Sequence, residues 1–181
     1  MAQIRLLDAA TINKIAAGEV VERPVSIVKE LTENALDAGA TAVTVEIREG
    51  GIAYLRVTDN GCGIPADQVR TAFLRHSTSK ITSVEDLLTN RTLGFRGEAL
   101  ASIAAVARVE ILTKTEEALT GVRYIIEGGE EKLWEEVACP TGTTLRVENL
   151  FFNVPARRKF LRRPAAEAAS IMDYMQRLIL G

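Results

Sequence analysis

Apolar residues recur along this chain with two alternating periods, and the switches between them mark out its elements. From 24 to 38 the spacing is helical: Val28, Leu31, Ala35 and Ala38 share a side, Pro24 suits a first turn, and Gly39 supplies a stop. Two stretches of alternating or β-branched character follow, 41–49 and 52–59, meeting at Gly50-Gly51 as a hairpin would. A helix is expected from Ala66 to about Phe73, and a shorter one at Ser83, where Ser83 and Asp86 have N-cap spacing. Gly97 to Ala107 reads as a small-residue helix, followed by strands near 108–114, 121–127, 132–138 and 143–150. After Pro155 helical spacing returns and ends in a long amphipathic stretch, 165–180.

Helices that precede and interrupt a sheet whose later strands are joined by short turns favour an α+β fold over a doubly wound parallel sheet. The expectation is a two-layer α/β sandwich with a mixed, largely antiparallel sheet. No repeat, low-complexity segment or Pro/Ser-rich linker divides the chain, so 1–181 is expected to form one domain. It ends in or just after a helix, which reads as a truncation.

Composition narrows the class. With 47% hydrophobic and 25% charged residues, the chain has the balance of a soluble globular protein. It lacks both the apolar run of about 20 residues that a membrane helix requires and the start of a secretory signal, so a cytoplasmic location is expected. Cys62 and Cys139 are far apart in sequence and are expected to be buried, reduced thiols; a single histidine, His76, leaves no histidine-based metal cluster. A net charge of −2 gives no global reason for tight nucleic-acid binding, so any DNA contact must come from a local patch.

Candidate chemistry lies in three places. Glu30, Glu33, Asn34 and Asp37 fall at i, i+3, i+4 and i+7 on the first helix, along one stripe opposite the apolar residues. By itself, such a stripe is the ordinary solvated face of an amphipathic helix. Asp59-Asn60-Gly61-Cys62-Gly63 follows a strand, so a carboxylate leaves the sheet edge into a turn where two glycines permit close approach of a ligand. A plain turn explains that composition equally well. Leu93 to Ala99 then opens a helix with Gly94 and Gly97, placing free N–H groups where a phosphate is favoured. Lys80 could add a positive charge over the same phosphates, and the hydroxyl of Thr143 could reach the base side of a pocket. Neither a P-loop nor a dinucleotide fingerprint occurs, so any phosphate must be held by a different device.

Taken together, KELTENALDAGA, VTDNGCGIP, TLGFRGEALASI and GTTLRVENLFFNVPARRKFL resemble the GHKL ATPases, the group of DNA gyrase, an ATP-driven heat-shock chaperone, histidine kinases and MutL. The stretches at 15–31 and 153–161 are similar to the MutL family of DNA mismatch-repair proteins in particular. The resemblance implies an ATP-binding (Bergerat) fold and a magnesium-dependent ATPase. In it Glu30 is the general base for the attacking water and Asn34 ligates Mg2+, while Asp59 reads the adenine amine. Gly61 and Gly63 shape the base pocket, supported by Thr143. Lys80 and the segment Gly94, Phe95, Arg96, Gly97, Glu98, Ala99, Leu100 surround the phosphates as part of a lid spanning 74–97, and Ala38, Ile64 and Ser79 complete the nucleotide-binding set.

The family further implies that ATP orders the lid and the N-terminal segment at 1–20, that two such regions then associate, and that a MutS-like mismatch sensor is the partner. The basic run Arg157, Arg158, Lys159, Arg162 and Arg163 could touch DNA phosphates, or be a solvated helix carrying charge. Thr32 departs from the aliphatic residue common in the family, with packing as its expected consequence. A second subdomain that supplies a phosphate-contacting lysine, and a C-terminal dimerisation domain, fall outside 1–181, so weak hydrolysis is expected of this stretch. A phosphotransferase of the histidine-kinase kind is the alternative enzyme class, and a nucleotide-gated binding module the non-enzymatic one.

Overall fold

The protein, seen in a computed structural model, is described over residues 6–75 and 98–181. Helices α1 (Ala9–Val20) and α2 (Pro24–Asp37) lead into strands β1 (Val43–Arg48) and β2 (Tyr54–Asp59). A 3-10 turn, Ala66–Gln68, runs directly into the single turn α3 (Val69–Ala72). Then come α4 (Ala99–Val106), β3 (Arg108–Lys114), β4 (Gly121–Glu127), β5 (Glu130–Val137) and β6 (Gly142–Glu148), followed by α5 (Pro155–Phe160) and α6 (Pro164–Leu180). The helix expected to open at Ser83 lies outside the described residues.

One sheet joins the strands in the order β1-β2-β6-β3-β4-β5, so β6, last in sequence, is inserted between β2 and β3. All five pairings among the described residues are antiparallel, which narrows the expected mixed sheet to a wholly antiparallel one. Its register lines up side chains row by row. Val45, Val57, Leu145, Ile111, Tyr124 and Trp134 are successive partners across all six strands, in a row on the face packed into the core. Burying an aliphatic side chain in such a row contributes roughly 1.5–3 kcal/mol.

The next row lies on the opposite face and holds Glu46, Arg56, Arg146 and Glu110. That face is laced with ion pairs: Glu110 meets Arg123 at 2.8 Å and Arg146 at 3.4 Å, and Arg108 meets Glu127 at 3.5 Å and Glu148 at 3.6 Å. Alternation of apolar and charged positions along each strand produces this two-layer arrangement, as a half-covered antiparallel sheet requires.

Helix α2 buries Pro24, Ile27, Val28, Leu31, Thr32 and Ala35. It stops because Gly39 takes φ +73° and the N–H of Ala40 returns to the Ala35 carbonyl at 3.0 Å, closing the last turn. The hairpin between β1 and β2 is looser than two glycines alone suggest. Arg48 pairs with Tyr54, so five residues connect the strands, and Glu49, Gly50 and Gly51 all have positive φ.

Two features depart from expectation. Residues 1–20 were expected only as a terminal segment, yet 9–20 form α1, with the Asp8 carboxylate accepting the Thr11 N–H at 2.6 Å as its cap. It packs on α4, but only the small residues Ala17 and Gly18 are buried in it, so no apolar stripe marks it in the sequence. The helical region after Pro155 also divides: Leu161 turns to extended backbone and Pro164 starts a new helix.

Candidate nucleotide-binding site

The end of β2 brings the chemistry together. Asp59 is the last residue of its strand and stands between Val43 of β1 and Thr143 of β6, and Thr143 in turn pairs with Thr113 of β3. Asp59, Thr143 and Thr113 are therefore neighbours in one row on the covered face, where the strands run out. The Asp59 carboxylate accepts the N–H of Gly61 at 2.8 Å, an Asx-type turn that folds the chain back at once. Burial pushes the Asp59 carboxyl above its usual range, while N–H donation from Gly61 and Thr143 pulls against it.

The turn that follows is clamped on two sides. The N–H of Cys62 donates to the carbonyl of Ala38 at 2.9 Å, seating the turn on the C-terminal end of α2. The N–H of Ile64 donates to Thr113 Oγ1 at 2.9 Å, seating it on the end of β3. Gly61 is required because a Cβ there would stand 2.8 Å from Ala38 Cβ, and Gly63 because it has φ +72° and lies against the Lys114 carbonyl. Asn60 closes the outer side, its Oδ1 accepting the N–H groups of Thr41 and Ala42, both at 2.9 Å.

Thr113 escaped the sequence reading. Its hydroxyl is 3.0 Å from both the Gly142 carbonyl and Thr143 Oγ1, and it also receives the Ile64 N–H. A hydroxyl has one proton, and the carbonyl can only accept, so Thr143 is the donor between the two threonines. The signal was a polar residue in register with Val109 and Ile111, but a threonine in a strand is ordinary.

Glu30 and Asn34 sit half-buried on α2, with Asn34 one turn before Ala38. The helix that carries them is thus the one whose C-terminal end holds the Asp59 turn. Glu33 is also half-buried, whereas Asp37 is exposed. Glu98 precedes α4, its carboxylate 3.6 Å from Arg75, and Ala99 and Leu100 form the first turn. Ser79, Lys80, Gly94, Phe95, Arg96 and Gly97, with His76, lie outside the described residues.

A model of the histidine kinase-, DNA gyrase B- and HSP90-like ATPases matches residues 19–148, an interval that takes in α2, the Asp59 turn and all six strands. The chain belongs to that ATPase family. Within the family it is similar over its whole length to MutL proteins. It shares 63% identity with the DNA mismatch repair protein MutL of Agathobacter rectalis and 55% with that of Desulforamulus reducens. All of this chain is covered in both matches, and it spans 28% of either relative. Among solved structures, the Aquifex aeolicus MutL ATPase domain complexed with ADP matches at 34% identity with a TM-score of 0.69, over 86% of this chain and 54% of that one.

For this ATPase-family domain, the basic run divides in two. Arg157 is drawn into the fold: its guanidinium lies 5.9 Å from the centre of the Phe151 ring and donates to the Val21 carbonyl at 3.2 Å. Arg162 donates to Ser170 Oγ at 2.8 Å and lies 3.6 Å from Glu167. Arg158, Lys159 and Arg163 are exposed. Both cysteines are free thiols, but neither is buried as expected: Cys62 lies exposed in the turn after Asp59 and Cys139 is half-buried. No described helix is long and apolar enough to cross a membrane.

Proposed function

We propose that this domain binds ATP with Mg2+ and hydrolyses it to ADP and phosphate as the nucleotide switch of a MutL-like mismatch-repair protein. The observation that supports the reading is the seating of the Asp59 turn on the end of α2, the helix bearing Glu30 and Asn34. Asp59 accepts the adenine amine, with Gly61, Gly63, Ile64, Ala38 and Thr143 around the base. Glu30 takes the proton of the attacking water, and Asn34, one turn further along, offers a neutral oxygen to the metal.

Asn34 would hold such an ion with phosphate and water completing its shell, since magnesium needs few protein ligands. That coordination suits magnesium, which keeps several waters and supplies charge neutralisation to the transferring phosphoryl group. Ser79, Lys80 and the stretch 94–100 then surround the phosphates as a lid. Ordering of that lid and of the N-terminal segment drives self-association, which relays mismatch detection by a MutS-like sensor. Arg158, Lys159 and Arg163 give weak contact with DNA phosphates, in the cytoplasm.

The test separates the two helix residues in the full chain. Glu30→Ala is expected to bind ATP nearly as tightly as the parent with turnover lost, and Asn34→Ala to lose magnesium-dependent binding. Equal loss of affinity in both variants would refute the separate roles. Stable transfer of γ-labelled phosphate to protein would instead favour a kinase-type reaction, and saturable binding without turnover a binding module.

A further inference from the structure

Helix α6 touches α2 through two polar contacts that the chemistry above leaves unused. Thr32 of α2 is fully buried, and its hydroxyl lies 3.0 Å from Tyr174 Oη of α6. Thr32 Oγ1 is also 2.8 Å from the Val28 carbonyl and 3.0 Å from the Lys29 carbonyl, so its own proton goes to its helix and Tyr174 is the donor across the gap. Nine residues earlier, Arg23, the residue just before α2, places Nη1 2.7 Å from Glu167 Oε1 of α6. Glu167 has no exposed surface; its Oε1 also accepts the Arg162 N–H at 2.9 Å, and its Oε2 is buried with no hydrogen-bond partner among the described residues. Helix α6 is itself fixed to the sheet, because Gly50 of the β1–β2 loop lies so close to Pro164 and Glu167 that a Cβ there would collide with both.

These contacts hold α2 at its start and its middle. Thr32 stands two residues from Glu30 and two from Asn34, roughly 200° around the helix from each. A bond at Thr32 therefore sets the rotation of α2 about its axis from the side opposite the functional pair, and the Arg23–Glu167 ion pair stops the helix sliding. We propose that Tyr174 and Glu167 are positioning residues which, through Thr32 and Arg23, aim Glu30 at the attacking water. The proposal rests on the reading of Glu30 as the base. Water activation is sensitive to small displacements, whereas ATP affinity is spread over base and phosphate contacts, so turnover is the quantity that responds.

Tyr174→Phe is the cleanest probe, since Thr32 keeps both bonds within its own helix and the ring keeps its volume. In the full chain, kcat is expected to fall about tenfold, with KM and Kd for ATP within about twofold and the melting temperature within roughly 2 °C of the parent. Thr32→Val should match it, Thr32→Ser should retain parental kcat, and the Thr32→Val, Tyr174→Phe double variant should be no slower than either single one. Glu167→Gln, which keeps the Arg162 bond and weakens the hold on Arg23, should lower kcat in the same way. An unchanged kcat in Tyr174→Phe, or a fall that follows lost stability or lost ATP affinity, overturns the proposal. Glu30→Ala separates the two failures. If it is inactive while Tyr174→Phe is unchanged, only the positioning role is lost; if it turns over like the parent, the catalytic reading falls with it.

Discussion

The N–H of Cys62 donates to the Ala38 carbonyl across 2.9 Å, joining the end of the helix that carries Glu30 and Asn34 to the turn that follows Asp59. Two segments more than twenty residues apart are thereby held in one geometry, and that geometry can be broken from either side.

The turn tolerates no side chain at its glycines. Gly63→Ala, with its positive φ and the Lys114 carbonyl in the way, is expected to destabilise the domain by roughly 1–3 kcal/mol in thermal or denaturant melts. Gly61→Val, forced against Ala38, should lower ATP affinity by more than its effect on stability explains. Parental affinity in Gly61→Val would show that the Ala38 contact is irrelevant to the site.

In the base-reading role proposed for Asp59, stability and binding oppose each other. Its folded-state carboxyl is held above the ordinary value by burial, so between the two values the folded protein binds more protons than the unfolded chain. Stability from this group is therefore present at low pH and is lost as pH rises through the raised value. Asp59→Asn removes that dependence: it should melt no lower than the parent at pH 7 without nucleotide, yet bind ATP at least about tenfold more weakly. A lower melting temperature for the variant at neutral pH would contradict the sign.

Base selection follows from the same carboxylate in the role proposed for it. Adenine offers an amine hydrogen where guanine offers an oxygen, which would face the Asp59 carboxylate unpaired. ATP should be preferred over GTP by at least about 100-fold in competition binding, because a site built around a donated hydrogen rejects an analogue lacking it. Comparable affinities would remove Asp59 from base recognition.

The basic run should separate by role. Arg157→Ala loses the stacking on Phe151 and the bond to Val21, and is expected to cost about 1–2 kcal/mol of stability with little change in DNA retention. Arg158→Glu with Lys159→Glu should leave melting unchanged and weaken DNA retention at low salt, the difference fading as salt rises. The opposite assignment in filter binding at about 50 and 200 mM salt would reverse these roles.

Much of this architecture is legible without coordinates, because its signals are local. The α2 stripe, the alternation in β2 and β6, and the Asp59-Asn60-Gly61-Cys62-Gly63 turn each lie within a dozen residues and predict their own conformation. Helix α1 is hidden because its buried residues, Ala17 and Gly18, are small and leave no apolar stripe. Thr113 is hidden because nothing near it in the chain distinguishes a hydroxyl bound into a site from one that merely suits a strand.

The sequence by itself determined most of the elements, the half-covered sheet and the residue types proposed to bind a nucleotide, since periodicity, capping and turn chemistry act over short spans. Only the tertiary structure decided who meets whom. The insertion of β6 beside β2 brings Thr143 to Asp59, and the return of α6 puts Tyr174 against Thr32, 142 residues away. Such pairings depend on strand register and on closure of long loops. No local pattern encodes which of the compatible partners will be buried together.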